Sequence, residues 1–163
     1  MKDLSLSHSV SIDEVTIRHA VASDSEPLLE LMKKLAEFEG YLDDFCVTKE
    51  DLFTHGFSQS LPTFTALVAE QNSKIVGYLV YYLIPFTYDL KPTLFIKELF
   101  VDKSARGQKI GTKLMQRVIE DDKEKGCGRL KWDVLSDNIT AQSFYKSFGA
   151  EHDTRWQGFV LKV

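Results

Sequence analysis

The stretch from Leu94 to Lys125 constrains this chain most. Leu94-Phe95-Ile96-Lys97-Glu98-Leu99-Phe100-Val101 is an apolar, aromatic run of strand length. A short polar link leads to Arg106-Gly107-Gln108-Lys109-Ile110-Gly111-Thr112. Leu114, Met115, Val118 and Ile119 then recur at helical spacing, with Gly126 as the stop. A strand that enters a helix through a glycine-bearing turn presents unpartnered N–H groups and the positive end of the helix dipole. Gly107 and Gly111 permit close backbone approach. Arg106, Lys109 and Lys113 gather positive charge in a chain whose formal charge is −4. A pyrophosphate fits such a site. The same residues also suit a capped helix with a flexible turn and solvated lysines. The Walker spacing is not met, because only three residues separate Gly107 from Gly111 and Lys113 comes too late, and no G-x-G-x-x-G occurs.

The rest of the chain reads as alternating elements around that segment. Val15 to His19 alternates as a short strand. Ser23-x-x-Glu26 reads as a capping box, with Pro27 in the first turn of a helix running to Phe38 and stopping at Gly40. Thr48-x-x-Asp51 is a second box, opening a short helix before Gly56. Residues 64–70 and 75–83 form a hairpin, 85–92 a loop, and 130–135 a strand holding Trp132. Residues 140–148 read as a helix closed by Gly149. Residues 156–163 read as a final strand with Trp156 in the core, and 150–152 as a further short strand. The expected class is α/β (α+β), a mixed sandwich around one sheet.

Composition narrows the function. The chain has 163 residues, 44% hydrophobic and 27% charged, which suits one globular domain at 14–163 behind a loose Ser-rich arm at 1–13. An acidic balance argues against nucleic acid as a partner. No run approaches the ~18 apolar residues of a membrane span, and the opening residues lack a signal-peptide core, so a cytoplasmic protein is expected. Cys46 and Cys127 make no framework and are expected to be reduced and mostly buried. Four scattered histidines suggest no metal site.

Two motifs then carry a resemblance. Arg106-x-x-Lys109-x-Gly111 resembles the acetyl-CoA pyrophosphate loop of the GNAT superfamily of N-acetyltransferases, departing from it at Lys109, where the family has Gly. Asn138-Ile139-Thr140-Ala141-Gln142-Ser143-Phe144-Tyr145-Lys146-Ser147-Phe148-Gly149-Ala150 resembles the superfamily's N-x-x-A-x-x-F-Y-x-x-x-G segment. Leu35 to Glu39, Thr48 to Phe57, Gly77 to Tyr82 and Trp156 to Leu161 are similar to the spermidine/spermine (diamine) and thialysine N-acetyltransferase branch.

The resemblance implies a GNAT-type acyl-CoA N-acyltransferase fold, with a mixed, mainly antiparallel sheet flanked by helices. It implies direct transfer of acetyl from acetyl-CoA, as co-substrate and without metal, to a primary amine of a small cationic molecule. Tyr145 becomes the general acid for the leaving thiolate, although a Tyr packed at a helix end is also common. Backbone groups at Leu99, Phe100 and Val101, on a strand that bulges and splays, become the binding edge for the cofactor arm. Arg106, Gly107, Gln108, Lys109, Ile110, Gly111 and Thr112 become the pyrophosphate loop, with Asn138 and Ala141 as further cofactor contacts. Asn138 equally suits a helix cap. Glu98 is the candidate base, although strand alternation alone gives an outward Lys97 and an inward Glu98. Phe38, Glu39 and Lys97 fall on the substrate side, and Asp43 and Asp44 extend the acidic character or form a solvated loop. The branch has acids at both strand positions, so Lys97 opens a second substrate class, an amino acid or aminoglycoside-like amine. Lys109 opens a third reading, a silent CoA-binding module. A homodimer is also implied.

Overall fold

The computed structural model describes residues 14–85 and 88–163; the arm expected over 1–13 lies outside them. The chain divides into two compact units, one ending at Trp132 and the other spanning Asp133–Val163.

The first unit holds one five-stranded sheet in the order β1-β2-β3-β4-β5. Its strands are β1 (Thr16–His19), β2 (Thr65–Gln71), β3 (Lys74–Ile84), β4 (Thr93–Val101) and β5 (Arg129–Trp132). The first four pair antiparallel and β5 joins β4 in parallel. The hairpin between β2 and β3 closes through Asn72 and Ser73, with φ of 51° and 59°, which is the twist a two-residue hairpin loop requires.

Helix α1 (Ser25–Glu39) covers one face of the sheet. Its Leu28, Leu31, Met32 and Leu35 pack with Leu52, Ala66, Val68, Tyr78, Val80 and Phe100. The helix ends at Gly40, φ 81°. Helix α2 (Lys49–Leu52) opens with the expected box: Thr48 Oγ1 accepts from the Asp51 N–H at 3.1 Å and Asp51 accepts from the Thr48 N–H at 2.9 Å. A π-turn over Phe53–Phe57 follows.

Helix α3 (Ile110–Glu124) covers the opposite face. It is fastened there by Asp121, only 1% exposed, which accepts from the Tyr81 hydroxyl at 2.8 Å and Arg117 Nε at 3.0 Å. His19 Nε2 lies 2.9 Å from the same carboxylate. A buried carboxylate with this many partners is satisfied rather than strained.

Several expectations are corrected. The Ser23/Glu26 box does not form. Asp24 is buried against the Arg18 guanidinium (2.7 and 3.0 Å) and accepts the Val21 N–H at 2.8 Å. That pairing fixes a 3-10 turn at Ala22–Asp24 and delays α1 to Ser25. Strand β5 ends at Trp132 rather than Leu135. Cys46 is exposed and Cys127 half-buried; neither forms a disulfide.

In the second unit, α4 (Ile139–Lys146) is the regular element. Neither 150–152 nor 156–163 is a strand, and Trp156 is 74% exposed. A β-prone run becomes a strand only where a neighbour takes its backbone groups, and within this unit no strand stands beside it. Among the described residues no helix is long and apolar enough to cross a membrane.

Candidate active site

Strand β4 is built around one irregularity. Val80 stands opposite Glu98, but the next residue, Tyr81, stands opposite Ile96, so Lys97 is the extra residue of a β-bulge. Paired residues share a face, and one inserted residue flips the faces beyond it. Leu94 and Ile96 therefore lie on the α3 side with Tyr81, while Glu98 and Phe100 lie on the α1 side with Val80 and Tyr78. The ladder to β5 stops at Ile96 opposite Trp132. Beyond Lys97, from Glu98 to Val101, β4 pairs within this unit with β3 alone. The bulge implied by the resemblance is present, and the ladder to β5 ends one residue before it.

The bulge turns Glu98 to the α1 side, among polar groups. The Tyr78 hydroxyl donates to Glu98 Oε2 at 2.9 Å, and Tyr78 itself is fully buried. Burial raises the Glu98 carboxyl above its ordinary range, against the lowering effects of the Tyr78 hydrogen bond and of Lys97. Glu39, at the end of α1, is also raised by desolvation and lowered by Lys97. Tyr41, just beyond α1, is pushed up to about 12 by burial and by Glu98 and Glu39. Glu39, Tyr41, Tyr78, Lys97 and Glu98 thus form one electrostatic cluster. Phe38 is 60% exposed, and Tyr82 stacks on Phe95 with ring centroids 5.3 Å apart. Tyr41, Tyr78 and this stacked pair escaped the sequence reading. Only the bulged register, which composition does not encode, brings Tyr78 against Glu98. Asp43 and Asp44 stand exposed in a 3-10 turn.

The loop ahead of α3 has the backbone of an anion cradle. Gly107 sits at φ 81° and Lys109, the residue before α3, at φ 59°. The first helical bond comes from the Lys113 N–H to the Lys109 carbonyl at 3.0 Å, which leaves the N–H groups of Ile110, Gly111 and Thr112 without a helical acceptor. These donors, with the positive end of the α3 dipole, fit a pyrophosphate. Arg106 is folded back: its Nε donates to the Val101 carbonyl at 3.1 Å and its guanidinium lies 5.8 Å from the Phe100 ring centroid. Gln108 accepts from Gln71 at 2.8 Å.

In the second unit, Asn138 Oδ1 accepts from the Ala141 N–H at 3.0 Å and caps α4. The cap is the structural role of Asn138, and it engages the N–H of Ala141. Tyr145 is half-buried, its ring 5.2 Å from that of Phe144.

A bulged strand that leads into an N–H cradle agrees with what comparison finds. Residues 27–150 match the family model described as acetyltransferase (GNAT) family. The chain belongs to the GNAT acetyltransferase family. It is an N-acetyltransferase, and the family uses acetyl-CoA as co-substrate. A thialysine N-ε-acetyltransferase of Sus scrofa is 34% identical over 153 residues, covering 89% of each chain. A spermidine/spermine N(1)-acetyltransferase-like protein 1 of Homo sapiens is 32% identical over 160 residues, 93% of this chain but 22% of that longer protein. Among solved structures, an aminoglycoside acetyltransferase from an uncultured soil metagenomic sample superposes with a TM-score of 0.74 at 27% identity, covering 91% of this chain and 97% of the other. The silent-module reading gives way to an enzyme.

Proposed function

We propose that this acetyltransferase acts on a terminal primary amine of a small cationic substrate of the diamine, polyamine or thialysine kind. The observation that carries the reading is Glu98: a desolvated carboxylate, held by Tyr78, in one electrostatic cluster with Glu39 and Tyr41. An aliphatic amine with a pKa of about 10.4 arrives as an ammonium ion and must lose a proton before it attacks. A carboxylate whose pKa is raised by burial is the better base for that task. Glu39 holds a second cationic group of the substrate, and Phe38 lends apolar bulk. The N–H groups of the 107–112 loop hold the pyrophosphate, and the open edge of β4 at Leu99 to Val101 takes the arm of the cofactor. Tyr145, assigned by its motif, protonates the departing thiolate, a role open to a phenol that stays protonated at neutral pH. Two copies pair, a point that sedimentation at micromolar concentration tests.

Thiol release from acetyl-CoA, followed across spermidine, putrescine and thialysine, tests the substrate class. Turnover of at least one is expected, with a large fall in kcat for Tyr145→Phe. No turnover of any removes the substrate reading and leaves the family intact.

Lys97 favours a narrower reading. A cation whose field reaches both Glu39 and Glu98 suits a substrate that carries a carboxylate besides its amines. The relative named for thialysine supports an amino-acid substrate, and the metagenomic neighbour supports an aminoglycoside-like one. Faster turnover of diamino acids than of spermidine is the expected result under this reading.

A further inference from the structure

Lys97 is itself a primary amine inside the site that receives primary amines. It is the inserted residue of the β4 bulge, its side chain is exposed, and it forms no hydrogen bond or ion pair among the described residues. Other lysines on the same unit are engaged: Lys33 with Glu30, Lys34 with Asp102 and Lys49 with Glu26. Lys97 instead has its own strand neighbour, Glu98, as a nearby carboxylate, and Glu98 is fixed by the Tyr78 hydroxyl at 2.9 Å. Two strand residues span about 6.6 Å, so a four-carbon stem rooted at position 97 reaches the backbone around Leu99. That backbone borders the open edge of β4, where the ladder to β5 has already ended. The amine, the base and the edge for the thioester are thus carried on three successive residues.

We propose that Lys97 is an acetylation site of the enzyme itself, modified in cis when acetyl-CoA is bound and no amine substrate is present. The proposal rests on the reading of Glu98 as base and of β4 as the cofactor edge. Glu98 takes one proton from the Lys97 ammonium and passes it to solvent. The Nζ lone pair then attacks the acetyl carbonyl, an Nζ–C bond forms, and the C–S bond of the thioester breaks. The second Nζ proton leaves with the sulfur, giving coenzyme A as the thiol and a neutral amide at position 97. Tethering supplies the proximity that a free amine must obtain by binding. The product removes a cation that opposes Glu39 and Glu98, so the modified site favours more highly charged amines.

The test incubates the purified full chain with acetyl-CoA alone and maps acetylated peptides by mass spectrometry over time. The expected result is one acetyl group on Lys97, formed at a first-order rate that dilution does not change. Glu98→Gln is expected to slow it by about a hundredfold or more, the span of general-base catalysis, and Lys97→Arg to abolish it. Circular dichroism and acetyl-CoA binding confirm that both variants fold. Equal acetylation of Lys97 and the other exposed lysines, a rate that falls on dilution, or indifference to Glu98→Gln overturns the proposal. The amine panel run in parallel separates the two ideas. Turnover of free amines with Lys97 unmodified sinks the self-acetylation alone, whereas silence in both arms sinks the substrate reading as well.

Discussion

Removing a single hydroxyl tests whether Glu98 works as the base. Tyr78→Phe deletes the donor that lies 2.9 Å from Glu98 Oε2 and leaves the ring, its burial and its packing against Phe100 in place. A hydrogen bond to a charged acceptor is worth about 1.5–3 kcal/mol. Glu98 is only half-buried, which favours the lower end, and about 1.4 kcal/mol is a factor of ten in the protonation equilibrium. The Tyr78 bond favours the ionised carboxylate, so its loss makes Glu98 harder to ionise, adding to the upward push of burial. The base acts ionised, so the acid limb of kcat/KM for the amine must move to higher pH. On that limb the variant is expected to lose about tenfold, while the alkaline plateau is kept. The assay is thiol release from acetyl-CoA at saturating cofactor across a pH series, with thermal unfolding as a fold control. A uniform loss at every pH, or an acid limb that does not move, would refute the assignment of Glu98.

Three further outcomes follow from the same geometry. Lys97→Glu is expected to favour spermidine over a diamino acid by about tenfold or more, since one close charge changes sign relative to the substrate; competitive acetylation of the two amines reads this directly. Lys109→Gly relieves a left-handed residue that costs about 1–2 kcal/mol and adds about 0.5–1 kcal/mol of unfolded-chain entropy, so the midpoint of thermal unfolding rises by up to about 6 °C. Asp121→Ala strips the shared acceptor from Tyr81, Arg117 and His19 and is expected to cost about 3 kcal/mol or more in denaturant unfolding.

Most of the fold was legible because its elements announce themselves locally. The α1 stripe, the β2–β3 hairpin and the Thr48 box each depend on residues a few positions apart, and each formed where its spacing put it. What failed depended on distant partners. The Ser23/Glu26 box lost to Arg18, which reaches Asp24 across a turn and Glu70 on another strand. The closing strand at 156–163 has the right residues but no neighbouring strand within its unit. The site divides in the same way. Glu98, Glu39 and the 106–112 loop were readable as charged or glycine-bearing positions in a motif. Tyr78 was not, because an apolar-facing tyrosine in a strand carries no sign of the carboxylate that it meets.

The bulge explains how a lysine can stand where the resemblance leads one to expect an acid. The bulge absorbs position 97 as an additional residue, so Glu98 faces the α1 side while Leu94 and Ile96, 0% and 2% exposed, stay against α3. Its exposed side chain supplies charge and nothing to the packing. Substitution and deletion should therefore agree. Lys97→Ala, →Arg and →Glu leave unfolding within the roughly 0.5 kcal/mol typical of surface changes. Deleting Lys97 makes Ile96 the direct neighbour of Glu98, and simple alternation then keeps Ile96 against α3 and Glu98 on the α1 side. The pairs Tyr81–Ile96 and Val80–Glu98 survive, and only the local kink and twist of the bulge are lost. The deletion should therefore unfold at a denaturant concentration close to that of Lys97→Ala. A loss of several kcal/mol in the deletion, comparable to turning Leu94 and Ile96 out of the α3 layer at about 1.5–3 kcal/mol each, would mean that the faces of β4 are not set by this register.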